Sequence, residues 1–220
     1  MSAVEQLILS LVLALACAAL PWLTRQLRSR LLAFGLMAGL GLSVLGSVFA
    51  LPLYPWSNLL VVLIAVTGGL LLGRSIPPRF RPMLILLVLL SVLDAAQIAL
   101  TGGLVPLSSS SPASSSSAPS PGPLLYLNVL LLLPTGHYLL GIFDLLVLTT
   151  VAEHWRRRGG AYLLAALPGL VGFLLAYGAL WLTNLGSWPL IPFFTAGWLC
   201  SETVARLSGA YLSATVRARR

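Results

Sequence analysis

The amino-acid sequence predicts an all-α fold: a polytopic transmembrane helical bundle of about seven spans, with a short strand or re-entrant segment ahead of one of them. Three observations carry this expectation. Of 220 residues, 58% are hydrophobic and 8% charged, and the mean hydropathy of +0.97 lies far above that of soluble domains. Apolar runs repeatedly approach the ~20 residues needed to cross a hydrocarbon core of ~30 Å. Arginines cluster at every second connection between those runs, as membrane-orienting charge does.

The runs cover about residues 4–23, 31–52, 58–73, 83–100, 124–133, 139–155, 161–182 and 189–207. The first, "VEQLILSLVLALACAAL", ends in small residues like a signal peptide. The region before it carries Glu5 and no positive charge, so a retained span is expected. Gly35, Gly39, Gly46, Gly69 and Gly73 are spaced to let the second and third helices pack closely. The stretch Leu124–Trp155 is too long for one helix, and Pro134 and Gly136 in "LPTGHY" break it. "LLYLNVLLLL" before the break is too short to cross as a helix and reads as strand-like or re-entrant. Seven crossings remain.

Direction follows from arginine. Arg25, Arg28 and Arg30 separate the first two spans, and Arg74, Arg79 and Arg81 separate the third and fourth. Arg156, Arg157 and Arg158 precede the sixth crossing, and Arg217, Arg219 and Arg220 close the chain. The alternate connections contain no Arg, so the positive-inside rule places the N-terminus outside and the C-terminus in the cytoplasm, in a cell (plasma) membrane protein. The chain divides into a four-span half (1–107), a Ser/Pro-rich outer loop (108–123) and a three-span half (124–220).

The net charge of +8 is carried by these Arg clusters and points to the lipid bilayer, not to nucleic acid. Cys17 and Cys200 both fall within apolar runs and are expected to be small buried hydrophobes, with no disulfide or metal between them. No Gly-rich phosphate loop, nucleophile elbow, zinc-binding His–Glu helix motif or Cys cluster occurs, so neither a metal nor an organic cofactor is expected.

The informative residues are the acids, of which there are five. Glu5 is near the outer terminus, Glu153 sits beside an Arg cluster, and Glu202 has Arg206 four residues later, so pairing and snorkelling account for them. His137 is expected at the interface and His154 in solvent. Asp94 in "LLVLLSVLDAAQIAL" and Asp144 in "LLGIFDLLVL" are the only aspartates, and both interrupt apolar runs. On consecutive antiparallel spans, each falls roughly 8–9 Å below the outer boundary at ~1.5 Å per residue. Two carboxyls at one level of a low-dielectric site cannot both ionise cheaply; one keeps its proton. Three readings follow: a catalytic pair, a proton or cation site in a transporter or channel, or a hydrogen-bonded carboxyl joining two helices.

Around these residues the sequence resembles the presenilin and signal peptide peptidase family of GxGD-type intramembrane aspartyl proteases, as a divergent prokaryotic-like member. The resemblance rests on "LD" at Leu93–Asp94, "GIFD" at Gly141–Asp144 and "WPLIP" at Trp188–Pro192, standing where the family carries "YD", "GxGD" and "PAL". It covers about residues 83–207 and includes the long linker between the Asp spans. Leu93 replaces the Tyr, Phe143 replaces the Gly before the second Asp, and "PLI" replaces "PAL". Seven spans also stand where the family usually has nine.

The resemblance implies a membrane-embedded aspartic endopeptidase acting on transmembrane segments of other membrane proteins, with Asp94 and Asp144 catalytic. Gly141, Phe143, Pro189, Leu190, Ile191 and Pro192 would shape the site. "YLNVLLLLP" (Tyr126–Pro134) would pair with unwound substrate by strand addition. Gln97, three residues from Asp94, either hydrogen-bonds the pair or simply packs. An inactive relative, or a transporter using the same acids, stays open, as does the oligomeric state.

Overall fold

The computed structural model describes residues 3–49, 56–101, 128–133, 136–183 and 189–218. The side chains of Gln97 and His137, and the Ser/Pro-rich loop at 108–123, lie outside the described residues. Four helices come first: α1 (Ala3–Leu23), α2 (Ser29–Val48), α3 (Trp56–Ser75) and α4 (Phe80–Thr101). A short hairpin, β1 (Asn128–Leu133) with β2 (Gly136–Gly141), leads into α5 (Ile142–Arg157), α6 (Tyr162–Thr183) and α7 (Ile191–Ala218).

The fold is thus essentially all-helical, with seven helices among the described residues. Four of them, at Val4–Leu23, Ser29–Gly46, Asn58–Ser75 and Tyr162–Thr183, are long and apolar enough to cross a membrane. The chain is a membrane protein. Its outer surface fits that solvent: Phe34, Met37, Ile85, Val92 and Trp181 stand exposed on helices with no polar face to turn outward.

The helix carrying Asp144 is the centre of the bundle. α5 packs against α1, α3, α6 and α7, and every residue from Val147 to Trp155 is buried. At 16 residues and ~1.5 Å each it is only ~24 Å long. It also starts later than the apolar run 139–155 suggested. Leu139, Leu140 and Gly141 pair with Leu130, Val129 and Asn128 in the hairpin, which satisfies their backbone groups without a helix.

Close helix approach uses the glycines. A methyl at Gly69 would lie 2.7 Å from the Leu146 carbonyl oxygen, and one at Gly73 would lie 2.8 Å from Glu153 Cβ, so α3 seats its backbone directly on α5. On the other side, Phe173 of α6 meets Phe194 of α7 edge-on at 5.0 Å between centroids. Trp198 stacks on Phe80 at 5.1 Å, tying α7 to the start of α4.

The arginine end of the bundle departs from expectation in three places. His154 is 0% exposed, against the edge of Trp198, and neither ring nitrogen has a hydrogen-bond partner. α7 covers it, which the neighbouring Arg cluster did not foretell. Glu202 pairs with Arg158 of α5, while Arg206 turns away to lie 4.8 Å over the Phe80 ring. Cys200 is exposed on the outer face of α7, whereas Cys17 is buried as expected; both are free. Glu153, also fully buried, is bridged by Arg74 at 3.2 Å and Arg156 at 2.7 Å, a partnership that offsets its desolvation.

Candidate active site

Pro189 to Pro192, the described part of the proline motif, form a helix start. Pro189 and Leu190 lead into Ile191, the first residue of α7, and Pro192 in the first turn needs no N–H partner. The N–H groups of Phe193 and Phe194 both reach the Leu190 carbonyl, at 3.0 and 3.1 Å. The N–H groups at the very start of the helix have no acceptor within it. Asp94 of α4 supplies one: the Ile191 N–H donates to Asp94 Oδ2 at 3.0 Å, and the Leu190 N–H also reaches this carboxylate. Asp94 therefore caps a helix other than its own.

Asp144 does the same locally. Gly141 is extended (φ −69°, ψ 148°), ends β2 and serves as the N-cap of α5. Asp144 stands three residues on, in the first turn, and its Oδ2 accepts the Gly141 N–H at 3.1 Å. Both carboxylates thus accept main-chain N–H groups at helix starts. They also lie within electrostatic reach of each other, the charge of Asp94 acting on Asp144. Two aspartates far apart in the chain thus fall in one neighbourhood of the bundle.

Beside them is a cavity of about 90 Å³ lined by Leu90, Leu93, Asp94, Phe143 and Ile191. A water needs roughly 10–15 Å³ of such space, so several fit. Phe143 is 51% exposed at this cavity, its ring occupying space that a glycine would leave open. A second, more open cavity lies along the same two helices, lined by Val88, Ser91, Val92, Ala95, Pro192 and Thr195.

Of the residues singled out in the sequence, Asp94, Phe143 and Ile191 line the first cavity; Asp144 and Gly141 are hydrogen-bonded to each other at the start of α5 around Phe143, and Pro189 and Leu190 lead into Ile191. Pro192 faces the second cavity. The Ser91–Thr195 hydrogen bond, 2.9 Å long and joining α4 to α7 just below Asp94, escaped the sequence reading. Its signal was present: Ser91 is three residues before Asp94 and Thr195 four after Ile191, the spacing of one helix face.

Fold and site together define a helical membrane protein with two aspartates held at helix starts beside a water-sized cavity. Compared with protein-family models, with curated proteins and with solved structures, the chain matches none.

Proposed function

We propose that this chain is an intramembrane aspartyl protease of the presenilin and signal peptide peptidase kind, with Asp94 and Asp144 as its catalytic pair. The observation that carries the reading is that the chain's only two aspartates lie within electrostatic reach of each other, with Asp94 lining a cavity that has room for water and Phe143, the neighbour of Asp144, lining it too. In the reaction, one carboxylate takes a proton from water as the water oxygen attacks the scissile carbonyl carbon. The other carboxyl gives its proton to the carbonyl oxygen. The resulting diol then collapses: the C–N bond breaks, the first carboxyl protonates the departing amine, and the second recovers a proton from a diol hydroxyl.

The rest of the proposal follows the same reading. All seven helices cross or enter the bilayer, with the N-terminus outside and the arginine end in the cytoplasm of a plasma-membrane protein. Pro189, Leu190, Ile191 and Pro192 form the floor, where irregular backbone is tolerated because it lines a cavity. β1 offers its outer edge to an unwound transmembrane substrate. No metal or organic cofactor takes part.

A second reading is favoured by the hydrogen bonds themselves. Each aspartate accepts a main-chain N–H, as a purely structural cap would. Asparagine separates the two roles, since its side-chain oxygen still accepts that N–H but cannot exchange a proton at catalysis. Coexpression of a model transmembrane substrate with wild type, Asp94→Asn and Asp144→Asn is the test. Loss of cleavage in both variants, at normal abundance, is the expected result. Survival of cleavage in either variant sinks the catalytic pair. Asp-dependent proton flux in liposomes without peptide products would replace the protease with a transporter.

A further inference from the structure

All thirteen basic residues are arginine, and three of the four clusters gather at one end of the bundle. Hydrogen bonds show how. Arg74 at the end of α3 donates to the Leu27 carbonyl at 2.7 Å and to the Thr24 carbonyl at 3.3 Å, drawing in the α1–α2 connection. Arg157 at the end of α5 donates to the carbonyls of Gly73, Arg74 and Ile76 at 2.9, 2.6 and 2.8 Å. The connections α1–α2, α3–α4 and α5–α6 are thereby held together, and Arg206 over Phe80 brings in α7.

The acids of this end are already used. Glu153 is buried between Arg74 and Arg156, and Glu202 is taken by Arg158. Arg25, Arg28, Arg30, Arg79 and Arg81 remain, all exposed, and no carboxylate among the described residues pairs with any of them. Nor does the backbone offset them: Arg30 and Arg81 lie in the first turns of α2 and α4, where the helix dipole repels cations. They lie at the ends of long apolar helices or in the connections between them, where basic side chains can meet the phosphates of a bilayer surface.

We propose that this arginine belt, Arg25, Arg28 and Arg30 with Arg79 and Arg81, binds the phosphates of anionic phospholipids in the leaflet it faces. Guanidinium forks match phosphate oxygens two at a time, which an ammonium cannot do. The bound headgroups supply the negative charge that the protein itself withholds from this surface.

The test uses the purified full chain in phosphatidylcholine nanodiscs containing a rising fraction of phosphatidylglycerol, with protein-bound lipid counted by native mass spectrometry. Wild type is expected to retain phosphatidylglycerol over phosphatidylcholine. In Arg79→Gln/Arg81→Gln, the half-saturating phosphatidylglycerol fraction should rise roughly fivefold for each arginine removed. An unchanged titration in that variant, or equal retention of both lipids by wild type, overturns the proposal. Displacement of the lipid by soluble glycerol phosphate at matched concentration would also overturn it, since the site would then be one for free anions. A second measurement needs no variant. Raising salt from about 50 to about 200 mM should weaken retention by wild type, and insensitivity to salt counts against the belt.

Discussion

Asp94 Oδ2 on α4 accepts the main-chain N–H of Ile191, the first residue of α7, at 3.0 Å. One carboxylate thus fixes where a helix begins and sits in the cavity where the chemistry is proposed. The two duties separate under mutation. Asp94→Ala leaves the Ile191 N–H without its acceptor and should cost about 1–3 kcal/mol, whereas Asp94→Asn keeps an acceptor and should cost less than about 1 kcal/mol. Thermal unfolding in detergent reads the first duty and substrate cleavage the second. Both variants should be inactive, and only the alanine variant markedly less stable.

Phe143 occupies the cavity beside Asp94 but is half in the open, so trimming it should perturb the fold little. Phe143→Ala is expected to admit larger residues at the scissile bond. For a model substrate carrying Leu or Phe there, cleavage should rise about tenfold or more, the scale on which an apolar pocket discriminates by size. Equal rates for small and large residues in wild type and variant would show that Phe143 sets no limit.

The α3–α5 seam tolerates no side chain at Gly73, where a methyl would meet Glu153 Cβ at 2.8 Å and the Thr150 carbonyl oxygen at 2.9 Å. Gly73→Ala should therefore destabilise by about 1–3 kcal/mol. Gly41 on α2 has nothing within 4 Å of the same position, and Gly41→Ala should be neutral or stabilising by up to about 1 kcal/mol. Opposite signs in one unfolding assay would confirm that close packing on α5, not helix propensity, is what Gly73 serves.

His154 is buried with both ring nitrogens unpartnered, an arrangement that penalises the folded state. His154→Phe places an apolar ring of similar shape against Trp198 and should raise stability by about 1 kcal/mol. A fall in melting temperature instead would mean that the imidazole holds a partner such as an internal water.

Much of this architecture was legible from apolar run lengths, because a helix in lipid must satisfy its backbone internally over a fixed thickness. α1 at Ala3–Leu23 and α6 at Tyr162–Thr183 match the runs at 4–23 and 161–182 within a residue. The start of α5 did not follow, since Leu139 and Leu140 are as apolar as helix residues and only their hairpin partners place them in a strand. In the candidate site, Asp94 and Asp144 stood out by rarity, and "PLIP" by its prolines. The cap from Asp94 to Ile191 could not be read, because it joins elements through space with no local signature. The same holds for Glu202, where an i,i+4 partner in Arg206 lost to Arg158 on a facing helix.

The walled-in position of α5 bears on how the protein comes to be made. A short segment carrying Asp144, Glu153 and His154 is a poor candidate to enter lipid unaided, since each charged group at depth costs about 3 kcal/mol on insertion scales. Its neighbours α1 and α3 are synthesised earlier, and α3 presents Gly69, Gly73 and Arg74 as a ready-made receiving surface. On the proposed seven-span arrangement, the first half of the chain therefore acts as an internal chaperone for the helix that bears the second aspartate, and a chain from which α3 is deleted would leave that helix without its receiving surface.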